Sequence, residues 1–252
     1  MKIGFYDSGL GGLTVLKEAI LKIPNAHFIC YGDTKNVPYG EKTHEQVIEF
    51  ARGAAEYLIE QGAEVIVVAC NTASSAAGDV LRSEFAIPII CMEPAIHLAA
   101  INNKSNKRIL VLATNLTLKL KKYKELKNSL QNQHIDELPM PKLVEFAEQF
   151  RTNDEEVKTY LRDNFSKFNM SDYSFVVLGC THFTYFKDVI GSILPEGVKT
   201  IDGNEGTVNQ LINTAKPDND SLLKIDLHLT GGNNEEIRKS IENYLNTKIN
   251  FI

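Results

Sequence analysis

A chain of 252 residues is long enough for one large or two modest domains, and 43% hydrophobic with 23% charged residues excludes collagen, coiled coil and extended disorder as its main state. Acidic residues outnumber basic ones by 32 to 27, a net charge of -5 with no strongly basic arm, which argues against a nucleic-acid partner. Asp7 interrupts the apolar start too soon for a signal-peptide core, and no apolar run reaches the roughly 18 residues of a membrane span, so the expected location is the cytoplasm.

Short apolar, β-branched runs predict strands over 2–6 (KIGFY), 27–31 (HFICY), 65–69 (VIVVA), 87–91 (IPIIC), 108–113 (RILVLA), 174–179 (SFVVLG) and 198–202 (VKTID). Helix-period stretches such as LTVLKEAILKI, HEQVIEFARGAAEYLIEQG and NDEEVKTYLRDNFSKF separate them, which predicts an α/β fold with parallel strands covered on both faces. The lysine-rich segment 118–128 reads as a solvated helix face rather than a nucleic-acid site. After about residue 206 the chain reads as polar and helical, with a loop at KPDND and an amphipathic helix in NNEEIRKSIENYL.

The two halves rhyme. Asp7 and Thr114 close strands that open each half, and 63 positions separate Asp7 from Cys70 where 66 separate Thr114 from Cys180. VVACNTAS and VVLGCTHF share an apolar run, a small residue, a cysteine and a nearby threonine, so internal duplication is expected, with the polar segment 101–107 as the boundary.

Four cysteines lie far apart with no C-x-x-C pair, so free thiols are expected, with neither zinc nor any other metal. Cys30 and Cys91 sit inside apolar runs and read as small buried hydrophobes. Cys70 and Cys180 instead follow predicted strands, where an open parallel sheet binds its ligands. If the halves face each other, two thiols flank one ligand. Inverting a carbon that bears a hydrogen takes an acid/base group on each face, and a thiol with an ordinary pKa near about 8.5 serves either role.

Asp7 and His182 stand where they can assist Cys70 and Cys180, although each has an ordinary reading as a capping carboxylate or a loop histidine. The glycine-rich DSGLGG, with Asp33 further on, imitates a dinucleotide-binding turn, but its glycines are out of order and Asp7 would repel a pyrophosphate. Backbone N–H groups for a carboxylate and Asp7 for an ammonium suit an α-amino acid instead.

The chain resembles the glutamate racemases of the cofactor-independent aspartate/glutamate racemase superfamily, on FYDSGLGG (5–12), YGDTKNVPYG (31–40), VVACNTAS (67–74), EPA (93–95) and LGCTHF (178–183) in order. The resemblance implies Cys70 and Cys180 as the acid/base pair, assisted by Asp7 and His182, with Glu148 supporting catalysis. It implies substrate contacts from Asp7, Ser8, Tyr39, Gly40, Asn71, Thr72, Thr114, Thr117, Thr181 and His182. It further implies two similar α/β domains, 1–98 plus 207–252 and 99–206, with the site between them. The same likeness implies a homodimer acting on glutamate without pyridoxal phosphate or any other cofactor, supplying D-glutamate for peptidoglycan. Ala113, Leu120 and Thr184 depart from the family's usual Gly, Ser and Pro.

The residues leave other readings open: aspartate or hydantoin racemisation, a cysteine hydrolase using Cys180 and His182, an amino-acid binding module, and a nucleotide-dependent oxidoreductase.

Overall fold

A computed structural model describes residues 1–92, 94–105, 107–216 and 222–252. Glu93 of the Glu-Pro-Ala block, Asn106 of the expected boundary and most of the expected KPDND loop lie outside the described residues. The described residues form ten strands: β1 (Lys2–Asp7), β2 (His27–Gly32), β3 (Val65–Val68), β4 (Ile89–Cys91), β5 (Arg108–Ala113), β6 (Ile135–Pro139), β7 (Tyr173–Leu178), β8 (Lys199–Ile201), β9 (Lys224–Leu229) and β10 (Asn250–Phe251). They make one sheet in the order β10-β9-β2-β1-β3-β4 and a second in the order β6-β5-β7-β8, with every pairing parallel.

Alternation along each strand builds a core on both faces. In β3, Val65 and Val67 pack with Ile3, Phe5, Phe28 and the helix Leu13–Lys22, while Ile66 and Val68 pack with Tyr6 and the helices His44–Glu60 and Asn71–Glu84. In the second sheet Leu110, Leu112, Val176 and Leu178 face one core, and Ile109, Val111 and Val177 the other. Parallel strands joined by helices leave all their carboxyl ends on one edge.

The central strands of the first sheet run β2-β1-β3-β4, and the second sheet runs β6-β5-β7-β8, which is the same order four strands on. Asp7 and Thr114 therefore occupy equivalent strand ends, as do Cys70 and Cys180. The expected α/β architecture and the rhyme between halves have a shared topological basis.

Three strands depart from expectation. The tail is not simply polar and helical: Lys224–Leu229 is a strand beside β2, with Ile225, Leu227 and Leu229 in the core. Its signal is masked because Asp226 sits inside the run; the structure buries it to 7% exposure against His27, Lys224 and Asn250. β6, with sequence IDELP, and the two-residue β10 are edge strands with too few apolar residues to announce themselves. The expected terminal helix is present at Glu235–Leu245, capped by Asn234 and burying Ile241 and Leu245. The lysine-rich segment forms Asn115–Lys119 and Lys121–Ser129, which bury Thr117 and Tyr123 and leave Lys119, Lys121 and Lys124 exposed. Among the described residues no helix is long and apolar enough to cross a membrane.

Candidate active site

The loop that leaves β1 is the hub of the site. Asp7 Oδ1 accepts from the Gly9 N–H at 2.8 Å, and its Oδ2 accepts from the Thr181 hydroxyl at 3.0 Å, so one carboxylate spans the two halves. The glycines that follow are closely packed, Gly9 and Gly11 against the second half and Gly12 against Asp7. A Cβ on Gly9 would collide with the Glu148 carboxylate, one on Gly11 would lie 2.5 Å from both His182 Nδ1 and Thr181 Oγ1, and one on Gly12 would lie 2.6 Å from Asp7 Cβ. None of these glycines has a positive φ, so close approach and not backbone freedom requires them. This accounts for DSGLGG without a dinucleotide. Asp33 likewise has a structural task, accepting from Tyr39, Asn36 and Thr230.

Cys70 caps the helix Asn71–Glu84: its sulfur accepts from the Ala73 N–H at 3.5 Å and lies 3.4 Å from the Ser8 hydroxyl. Burial, then the charge of Asp7 and a smaller contribution from Cys180, push the Cys70 thiol up to about 12, against its hydrogen bonds with Ser8 and Ala73. Asp7 and Cys180 both bear on the Cys70 thiol, so the three lie near one another. Burial also pushes the Asp7 carboxyl up, and Glu148 adds to this, while His182, Gly9 and Thr181 oppose it.

Cys180 ends the turn after β7, and its sulfur lies 3.7 Å from His182 Nδ1. The other ring nitrogen, Nε2, is 2.6 Å from Glu148 Oε1 and 3.2 Å from the Gly11 nitrogen. These two contacts compete for Nε2. A protonated Nε2 points its hydrogen at the carboxylate, and a bare one accepts from Gly11. Burial disfavours the imidazolium, but the hydrogen bonds and charges of Cys180 and Glu148 outweigh it and hold the His182 pKa well above the usual histidine range. Glu148, at the end of the helix Pro141–Glu148, is fixed in turn by the Leu10 N–H at 2.6 Å.

Hydroxyls close the opposite side. Thr72 Oγ1 lies 3.0 Å from Thr114 Oγ1 and 3.1 Å from Thr117 Oγ1, with 3.0 Å between the latter two, a triangle that again joins the halves. Gly40 abuts Thr114, where a Cβ would come within 2.8 Å. Asn71 is 1% exposed, and neither its amide nitrogen nor its oxygen has a hydrogen-bond partner among the described residues. Buried amides seldom go unpaired.

The structure thus places Cys70 with Ser8, Asp7 with Thr181, and Cys180 with His182 and Glu148 as three hydrogen-bonded groups, and Thr72, Thr114 and Thr117 as a fourth. Tyr39 is placed differently from the rest, because its hydroxyl is committed to Asp33 at 2.7 Å and to Tyr6 at 2.7 Å. Asp7, Ser8, Cys70, Asn71, Thr72, Thr114, Thr117, Thr181, His182 and Cys180 are each 5% exposed or less.

Of the departures, the Ala113 methyl packs in the second-half core, Leu120 packs against the first half, and the Thr184 hydroxyl is buried with no partner among the described residues. Cys30 and Cys91 are buried, and neither is in a disulfide. Sequence reasoning missed Tyr185, whose hydroxyl donates to the Leu10 carbonyl at 2.8 Å. The loop N–H groups expected to face a substrate carboxylate are instead taken by side chains of the protein, Gly9 by Asp7, Leu10 by Glu148 and Gly11 by His182. Nothing local in the sequence marks a tyrosine for such a task. Among the described residues no group of three or more His, Cys, Asp or Glu side chains is disposed to hold a metal ion.

Comparison with known proteins gives a consistent family. The family model described as Asp/Glu/Hydantoin racemase matches residues 15–211. The chain is 53% identical to a glutamate racemase of Campylobacter curvus over 218 residues, covering 84% of this chain and 82% of that one. Its structure is similar to that of Escherichia coli glutamate racemase in complex with L-glutamate and the activator UDP-MurNAc-ala, with a TM-score of 0.89 and 27% identity, covering 100% of this chain and 97% of that one. It is also similar to a Bacillus anthracis glutamate racemase, with a TM-score of 0.88 and 27% identity, covering 99% and 96%.

Proposed function

The chain belongs to the Asp/Glu/hydantoin racemase family, and from that premise we propose that it interconverts L-glutamate and D-glutamate by two-base proton transfer between Cys70 and Cys180. The observation that carries the reading is the pair of buried cysteines at equivalent strand ends of two like-ordered sheets, each tied to the other half through its assistant.

The chemistry follows from the asymmetry of the two arms. The thiol of Cys70, pushed up to about 12, holds its proton in the resting site and is the acid there. His182 keeps a proton between Cys180 and Glu148, which leaves the Cys180 sulfur free to act as base. Cys180 takes the α-proton from one face, Cys70 delivers its own to the other, and the reverse reaction exchanges the roles. Thiolate basicity alone is small against an amino-acid α-proton. Desolvation and fixed donors must stabilise the developing negative charge, a role for the hydroxyls and the Asn71 amide of this buried site.

Asp7, Ser8, Asn71, Thr72, Thr114, Thr117, Thr181 and His182, with the backbone at Tyr39–Gly40, are the substrate contacts in this reading. Glu148 is a positioning residue acting through His182. The unpaired Asn71 amide supports a polar ligand at this point. The domains are 1–98 plus 207–252 and 99–206, the molecule is a cytoplasmic homodimer, and its product D-glutamate feeds peptidoglycan synthesis.

Following α-proton exchange by NMR in deuterated water tests the substrate. Both glutamate enantiomers should lose the α-proton signal and invert. Exchange with aspartate and none with glutamate would overturn the assignment. Cys70→Ser should lower turnover by about 100-fold or more, as loss of an acid/base group does; a hydrolase built on Cys180 and His182 would be indifferent to it.

A further inference from the structure

Thr14 and Asn204 are buried polar side chains that the reaction scheme above does not use, at 4% and 6% exposure. Thr14 lies in the first turn of the helix Leu13–Lys22, with its hydroxyl 2.9 Å from the Gly11 carbonyl. Taken alone, that contact is the ordinary local bond of a threonine near a helix start. Two further contacts are not local. The same hydroxyl lies 3.3 Å from the Thr181 carbonyl, across the seam, and it accepts from Asn204 Nδ2 at 3.1 Å.

A hydroxyl has one proton to give, so the Gly11 and Thr181 carbonyls share it. Their own residues define what is shared: the Gly11 N–H faces His182 Nε2, and the Thr181 side chain donates to Asp7. Thr14 therefore stands where the Asp7 arm and the His182 arm meet.

Asn204 begins the helix Asn204–Ala215 after β8, and its backbone N–H is held by Asp202 at 3.1 Å. Its amide nitrogen serves Thr14, but its side-chain oxygen is buried with no partner among the described residues. An unpaired buried carbonyl costs stability, and an apolar side chain of similar size escapes that cost. What the amide provides is orientation of the Thr14 hydroxyl.

The geometry points to Thr14, oriented by Asn204, as a positioning pair that sets the spacing of the two proton-transferring arms. This rests on the two-base reading above. Small displacements of reacting groups are costly, about 100-fold for an ångström.

The test compares full-length Thr14→Val, Thr14→Ser and Asn204→Leu with the unaltered protein, measuring kcat and KM from L- and D-glutamate by circular dichroism, together with Tm. Thr14→Val should lose about 10-fold or more in kcat in both directions, with KM within about 2-fold, and Thr14→Ser should stay within about 3-fold, the split expected when an interaction acts in the transition state. Asn204→Leu should lose kcat while its Tm stays level or rises, which a merely structural residue would not do. The inference is overturned if Thr14→Val and Asn204→Leu both retain wild-type kcat, if Thr14→Ser is as impaired as Thr14→Val, or if Asn204→Leu loses Tm along with kcat. Should Thr14→Val fail to fold, Asn204→Leu decides by the same criteria. An unaltered protein that leaves glutamate unchanged sinks the two-base reading and this inference together, whereas active protein with indifferent variants sinks this inference alone.

Discussion

Asp7 sits where its surroundings resist its charge. Burial raises its pKa above the ordinary value, and the partial relief from His182, Gly9 and Thr181 does not reverse that direction. A carboxyl with a raised folded pKa contributes stability below its unfolded value and loses it as pH rises through the folded value, so near neutral pH the ionised group is a cost to the fold. Asp7→Asn keeps an acceptor for Gly9 and a polar partner for Thr181. It should therefore match or exceed the Tm of the unaltered protein at neutral pH, with the gap closing as pH falls toward about 4, while turnover drops by about 100-fold. A lower Tm at neutral pH would contradict this account. At this scale the sequence was informative wherever a chemically distinctive residue followed a strand, as Cys70, Cys180, Asp7 and His182 do. It was silent on Thr14, Tyr185 and Asn204, because their task depends on which backbone groups fold against them.

Among the elements, the loop after β1 carries a demand that neither helix nor strand imposes. Gly9 and Gly11 are the surface on which Glu148, Thr181 and His182 rest. Gly11→Ala should cost about 1–3 kcal/mol, as overpacking does, and should lower kcat beyond what the lost Tm explains, because the added methyl displaces the His182 ring. A fully active Gly11→Ala protein would show that the contact is slack.

The strand Lys224–Leu229 makes a second demand. Burial raises the Asp226 pKa, but hydrogen bonds from Asn250, Lys224 and His27 outweigh it and bring the group down to about 2. A lowered folded pKa gives stability that is present above the ordinary carboxylate range and lost as pH falls through it. Asp226→Asn should reduce Tm at pH 7, with the difference shrinking between about pH 4 and pH 2; a pH-independent difference would place the effect elsewhere. The strands that were legible include central ones buried on both faces, such as β1, β3 and β5, and the edge strands β4 and β8. The edge strands β6 and β10 offer few apolar residues, and β9 hides its alternation behind an acid that only tertiary partners make tolerable.

For the molecule as a whole, the rhyme between the halves was readable because spacing between landmarks survives where residue identity does not. The interlock was not: Asp7 to Thr181, Leu10 to Glu148, Gly11 to His182 and Thr72 to Thr114 are contacts across 42 to 174 positions. The return of β9 to the far side of β2 has a consequence for biosynthesis. The second sheet is drawn from one contiguous stretch, β5 to β8, whereas the first waits for the stretch made after it. On the ribosome the later half should be finished before the earlier one, since pairings distant along the chain form slowly and leave edges unprotected meanwhile. Protease added to a released chain that ends near residue 215 should spare a fragment around 108–201 and cut the amino-terminal half, leaving that half as the portion that calls for chaperones.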